Sequence, residues 1–224
     1  TINCVDKVRG NHIAKIAANI MTGELVEIIL NDYDIKELET FNVKESVFPF
    51  NKFEGVDLIL GPEMKSTGEV MGIDSTFLSA FAKSQIACGT ILPSKGKVFI
   101  SIDDDNKKFI LTIVKKLISL NFIIVATKGT AKFLNDHNLK VETINKVKEG
   151  GSHIVKAISD NQIDLVINTT KTQGSIRDSY SIRRTSLTFN VPYYTTIAGA
   201  KVAVDTIEHL KNNNLKVKSL QDLI

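Results

Sequence analysis

From residue 97 onward the chain alternates short apolar, β-branched runs with stretches in which apolar residues recur every three or four positions. The runs Lys97–Ile102, Phe122–Ala126, Val141–Ile144, Leu165–Asn168 and Tyr193–Thr196 have the length and composition of strands. Phe122–Ala126 and Leu165–Asn168 show no polar alternation, which is what a strand buried on both faces requires. Between them, Phe109, Ile110, Ile113, Val114, Leu117 and Ile118 mark one face of a helix. Asp103-Asp104-Asp105 ahead of it place carboxylates where a helix N-terminus favours negative charge. Further helices are expected over Ala131–Asn138, His153–Asp160, Asp178–Phe189 and Ala198–Lys211. Strands joined by helical stretches in this way predict a parallel sheet with helices on both faces, a Rossmann-like α/β domain.

The first third reads differently. Residues 1 to 23 form a loop entering an amphipathic helix, with Ile13, Ile16, Ala17, Ile20 and Met21 on one face and Gly23 as its stop. No complete strand–helix–strand unit precedes it, so the chain is expected to begin inside a larger domain. Extended segments are expected between Val43 and Leu60, with Pro49 confining its segment to a sheet edge or a strand start. The glycine-punctuated stretch Gly61–Gly72 then leads into a helix from about Thr76 to Ala87. Pro, Ser and Gly in Leu92-Pro93-Ser94-Lys95-Gly96 mark a boundary, dividing the chain into residues 1–93 and 94–224.

Composition narrows the function classes. The 224 residues are 43% hydrophobic, ample for packed cores. Twenty-eight basic against 25 acidic residues leave +3, with no block of like charge that would form a nucleic-acid tail. No apolar run approaches the roughly 20 residues that span a bilayer, and the N-terminal residues do not read as a signal peptide. Cys4 and Cys88 lack metal-ligand spacing, so neither a metal site nor a disulfide framework is expected and the cytoplasm is the simpler compartment. His12, His137, His153 and His209 fall on separate elements, at surfaces or helix ends, without a base-and-nucleophile spacing.

In an open parallel sheet, ligands sit beyond the carboxyl ends of the strands. The residues at or after those ends are Ser101, then Thr127-Lys128-Gly129-Thr130, then Asn145-Lys146, then Asn168-Thr169-Thr170-Lys171. Hydroxyls, amides, lysines and a glycine suit a phosphate, which takes hydrogen bonds from a helix N-terminus and charge from lysine. Among these residues there is no acid or strong nucleophile. Thr-Lys-Gly-Thr also serves as an ordinary turn, and Asn-Thr-Thr as a helix cap.

The stretch Gly61-Pro62-Glu63-Met64-Lys65-Ser66-Thr67-Gly68-Glu69-Val70-Met71-Gly72, preceded by Phe48-Pro49-Phe50-Asn51-Lys52-Phe53 and followed by Phe77-Leu78-Ser79-Ala80-Phe81-Ala82-Lys83-Ser84-Gln85, resembles the large subunit of carbamoyl phosphate synthetases. The resemblance covers the whole chain and places it in the C-terminal region. It implies an α+β remnant closing the second ATP-grasp domain (1–93), then a methylglyoxal-synthase-like allosteric domain (94–224). By that resemblance Ser101, Lys107, Thr127, Thr130, Lys146, Asn168, Thr169 and Thr170 match positions that bind the nucleotide effectors UMP and IMP. Glu45, Tyr193 and Thr195 match positions that bind the activator ornithine, further acidic ligands being expected upstream. No catalytic residue and no metal ligand is implied within the chain, and Lys65 and Glu69 receive no catalytic role.

The resemblance further implies a parent ligase that uses MgATP, with K+ as a candidate ion, and whose partners are the rest of the large subunit and a glutaminase small subunit. It would supply carbamoyl phosphate for pyrimidine and arginine biosynthesis. The chain alone is then expected to be inactive and to sense effectors. The alternative is a free-standing methylglyoxal-synthase-like lyase. Such an enzyme has an aspartate directly after a Gly-Gly pair, whereas here Ser152 follows Gly150-Gly151 and no carboxylate follows Asn168, so its base is missing.

Overall fold

The computed structural model describes residues 5, 6, 8, 12–27, 39–48, 65–145, 153–171 and 173–219. Helix α1 (Ile13–Met21) has the expected amphipathic pattern, ends before Gly23 at φ +104°, and buries none of its residues. Strands β1 (Phe41–Val47) and β2 (Gly68–Asp74) form an antiparallel pair in which Glu45 lies opposite Val70. Helix α2 (Phe77–Ala87) packs against both strands, its N-terminus capped by the Thr76 hydroxyl, which accepts from the Ser79 backbone N–H at 3.3 Å. The segment Gly61–Met64 lies outside the described residues.

The glycines of the stretch Gly61–Gly72 read locally as loop punctuation, yet from Gly68 the chain is strand β2. The glycine requirement has a different origin. A Cβ on Gly72 would stand 1.9 Å from the Ala80 carbonyl oxygen and 2.6 Å from the Ser84 nitrogen, so only hydrogen fits between the strand and α2.

The rest is the expected parallel sheet. Strands β3 (Gly96–Ser101), β4 (Phe122–Ala126), β5 (Glu142–Thr143), β6 (Leu165–Asn168) and β7 (Tyr193–Tyr194) pair in the order β5-β4-β3-β6-β7, every pair parallel. The connecting helices are α3 (Lys107–Ser119), α4 (Lys128–Asp136), α5 (Ile154–Ser159), α6 (Gln173–Asp178), α7 (Tyr180–Thr188) and α8 (Ile197–Asn212). Alternate residues of β3 feed opposite faces. Val98 and Ile100 join Ile110, Leu117, Leu134 and Val204 from α3, α4 and α8, while Phe99 joins Ile154, Ile158 and Ile182 from α5 and α7. The non-alternating apolar runs thus reflect burial on both faces.

Two details differ from expectation. The helix expected over Asp178–Phe189 is α7 (Tyr180–Thr188), and a further short helix, α6, precedes it and ends at Asp178, with Ser179 between the two. Helix α4 starts at Lys128, so Thr127 is its N-cap and Gly129 stands in its first turn instead of in a preceding turn. The histidines sit at helix ends as expected: His12 and His153 at N-caps, His137 at a C-cap and His209 in a last turn. Among the described residues no helix is long and apolar enough to cross a membrane.

The antiparallel unit docks on the parallel sheet through α2, which packs against α8. Ser79 Oγ lies 2.9 Å from His209 Nε2 across this contact.

Candidate functional site

The chain leaves β3 for β4 on one side and returns to β6 on the other, so the sheet order reverses at β3. Helices leaving in opposite senses at such a point open a crevice beyond the strand ends. Two adjoining depressions of about 350 and 260 Å³ lie there and share Ser101 and Ile102. The first is bordered by Asp103, Asn168, Thr169 and Thr170, the second by Lys107, Thr127, Gly129 and Thr130. Seven of the eight residues matched to an effector site therefore meet at one end of the sheet; Lys146 lies outside the described residues.

The hydroxyls do not play equal parts. Thr130, 2% exposed, accepts from the Ile102 backbone N–H at 3.1 Å and so ties α4 to the end of β3. The Thr127 hydroxyl donates to Ser101 Oγ at 3.3 Å and makes no capping bond to the first turn of α4, leaving that turn facing the crevice. A Cβ on Gly129 would meet nothing within 4 Å, so no protein atom demands a glycine there. The open space is what a close ligand would use. Asn168 is 1% exposed, and its Nδ2 donates to the Tyr193 hydroxyl at 2.8 Å.

Contrary to the reading of the strand-end residues, the crevice does contain an acid. Asp103 Oδ2 accepts from the Thr169 hydroxyl at 2.6 Å and from Asn106 Nδ2 at 2.8 Å, while the Asp103 backbone N–H donates back to Thr169 at 3.1 Å. Burial pushes the Asp103 carboxyl up, but the hydrogen bonds from Thr169, Asn106 and backbone N–H groups outweigh it and hold the group below its ordinary value. Asp103 is thereby held as an anion. The residue was legible only as a helix-start carboxylate, and it does cap the single 3₁₀ turn Asp104–Asn106 that leads into α3.

The flanking charges are engaged as well. Lys107 Nζ lies 2.6 Å from Asp104 Oδ1 and 5.9 Å from the centre of the Phe133 ring. Lys171 is paired with Asp105. Among the described residues no group of three or more His, Cys, Asp or Glu side chains is arranged to hold a metal ion.

The second predicted set is placed less simply. Glu45, half-buried on β1, accepts from Gln85 Nε2 at 3.1 Å, and no cation among the described residues pairs with it. Burial raises its carboxyl above the ordinary range, the Gln85 bond opposing. Gln85 Oε1 in turn accepts from the Tyr194 hydroxyl at 3.0 Å. Burial first, then the negative charge of Glu45, pushes that phenol far up. It is thus Tyr194 that reaches the Glu45 cluster through Gln85, whereas Tyr193 bonds to Asn168 of the crevice and Thr195 is exposed. Nothing in the sequence singled out Gln85 or Tyr194. The available signal was a polar side chain inside the small-residue face Ser79, Ala80, Ala82, Ser84 of α2.

Comparison with known proteins agrees with this architecture. The MGS-like domain family matches residues 109–195. The carbamoyl phosphate synthase large chain of Mesorhizobium japonicum is 48% identical over 99% of this chain, and that of Myxococcus xanthus is 48% identical over 100%. The carbamoyl phosphate synthase large chain, C-terminal section, of Methanopyrus kandleri is 43% identical over 100% of it. The chain spans 19% and 21% of the two bacterial proteins and 42% of the Methanopyrus one. Along its whole length, the chain is a homologue of the C-terminal part of carbamoyl phosphate synthase large chains, carrying an MGS-like domain.

Proposed function

We propose that the chain is the regulatory C-terminal portion of a carbamoyl phosphate synthase, divided into the end of an ATP-grasp domain (1–93) and an allosteric domain (94–224). Its crevice takes a nucleoside monophosphate, UMP or IMP. One observation carries this reading: Ser101, Lys107, Thr127, Gly129 and Thr130 gather around an uncapped helix start, beside Asn168, Thr169 and Thr170, at the reversal point of a parallel sheet. Helix N–H groups and lysine suit a phosphate, and buried hydroxyls and an amide suit its ribose and base.

The parent enzyme makes carbamoyl phosphate in the cytosol from bicarbonate, glutamine-derived ammonia and two ATP. It works with MgATP, with K+ as a candidate ion, together with the rest of the large subunit and a glutaminase small subunit. Glu45, half-buried and without a cation among the described residues, supplies one carboxylate to ornithine's ammonium group, with Tyr194 beside it through Gln85 and the matched Tyr193 and Thr195 as the neighbours of Tyr194 along the chain. Effector binding shifts the packing of α2 against α8 and changes the affinity for MgATP through a coupling of roughly 1 to 3 kcal/mol. The chain by itself senses and does not catalyse.

The test is selective loss of phosphate recognition. Lys107→Ala and Lys146→Ala should each weaken UMP much more than uridine, because only UMP presents a phosphate. Equal losses for both ligands would remove the lysines from the site.

A further inference from the structure

Lys107 at the crevice and Lys171, just past Thr170, are each ion-paired with a carboxylate of one acidic turn, Asp104 and Asp105. Asp104 Oδ1 sits 2.6 Å from Lys107 Nζ, three residues away, and both side chains border the same 260 Å³ depression as Thr127 and Gly129. Asp105 holds Lys171 in the same manner. The two partners differ in exposure: the Lys107 side chain is 22% exposed, packed over the Phe133 ring, while that of Asp104 is 91% exposed. Lys107 is therefore positioned by its packing, and Asp104 is the member free to leave. Asp103 cannot leave, because Thr169 and Asn106 hold it in place.

We propose that Asp104 is a built-in competitor for the phosphate: its carboxylate occupies Lys107 in the empty crevice, and an entering phosphomonoester displaces it and takes over the ammonium group. This inference rests on the reading of the crevice as a phosphomonoester site and sets how tightly that site binds. An exposed carboxylate–ammonium pair is weak in water, so the exchange is readily reversible. The displaced carboxylate still repels a doubly charged phosphate over a Debye length, about 8 Å at physiological salt. The acidic turn thus weakens the crevice for anions in general, and only a ligand that also engages the buried hydroxyls and Asn168 overcomes it.

The experiment is calorimetric titration of the whole chain with UMP, inorganic phosphate and uridine, for the native protein, Asp104→Asn, Lys107→Ala and the double variant. Asp104→Asn keeps the side-chain shape at an exposed position, and should tighten UMP and phosphate by about three- to tenfold while leaving uridine unchanged. In the Lys107→Ala background the same substitution should give a markedly smaller gain, since no ammonium group remains to be released. If the native chain binds UMP but Asp104→Asn leaves its affinity unchanged or lowers it, or if the gain is equal with and without Lys107, the exchange is overturned while the site stands. If the native chain binds neither UMP nor phosphate, the phosphomonoester reading falls, and the exchange with it.

Discussion

The Tyr194 hydroxyl donates to Gln85 Oε1 at 3.0 Å, joining residues 109 positions apart, and Gln85 Nε2 passes the connection to Glu45 on β1 at 3.1 Å. The neighbouring Tyr193 accepts from Asn168 in the crevice. Adjacent residues of β7 thus touch the crevice on one side and the antiparallel unit on the other. Replacing Gln85, 6% exposed, by Leu leaves both the tyrosine hydroxyl and the carboxylate without that partner. The expected cost is about 1 to 3 kcal/mol, read as a lowered denaturant midpoint with an unchanged slope. Tyr194→Phe in the Gln85→Leu background should add much less than it does alone.

Glu45 gives a pH signature. Its folded pKa is raised above the ordinary 4.5, so the neutral form is favoured: its stabilising contribution is full below the unfolded value and is lost as pH rises through the folded one. Glu45→Gln should therefore raise the melting temperature at neutral pH and change it little in acid. Asp103 works in the opposite sense. Its folded pKa lies below the ordinary 3.8, so its contribution is present above that value and lost as pH falls through the folded one. Asp103→Asn should lower the melting temperature at neutral pH, with the gap closing in strong acid. Melting curves across pH check both signs. If Glu45 also faces ornithine's ammonium group, the stabilised Glu45→Gln variant should lose ornithine binding.

The two glycines make contrasting predictions. Gly72→Ala forces a methyl group into the Ala80 carbonyl and the Ser84 nitrogen, backbone atoms that move only if α2 does. The expected loss is about 1 to 3 kcal/mol or more, seen as lowered thermal stability. Gly129→Ala meets open space, so stability should hold or rise by up to about 1 kcal/mol from helix propensity. Its effect should appear instead as weaker UMP binding, measured by titration.

Thr130→Val removes the acceptor of the buried Ile102 N–H. This should cost about 1 to 3 kcal/mol of stability, lowering the melting temperature by roughly 2 to 4 °C per kcal/mol at this chain length. Uridine and UMP should weaken together, because the residue shapes the crevice and does not single out the phosphate.

Much of the parallel sheet was legible because its central strands are buried on both faces, so Val98–Ile100, Ile124–Ala126 and Leu165–Ile167 could be written only in apolar residues. The crevice followed from the sheet, since Ser101, Thr127 and Asn168 stand where those runs stop. Strand β2 was not legible: Gly68 and Gly72 argue locally for a loop, and only the close approach of α2 explains Gly72. Asp103 looked like a helix-start charge, because its partner Thr169 lies 66 residues away. The Glu45–Gln85–Tyr194 bridge was hidden for the same reason. Hydrogen bonds between elements distant in sequence leave no periodicity to read.

The central claim is that the crevice recognises a phosphomonoester, and calorimetric titration of the native chain with UMP, IMP and uridine, paired with melting curves, tests it most directly. At about 100 times its dissociation constant a nucleoside monophosphate should stabilise the fold by about 2.7 kcal/mol, raising the melting temperature by roughly 5 to 10 °C, while uridine binds far more weakly. A folded chain that binds none of the three, or that binds uridine as tightly as UMP, would contradict the claim.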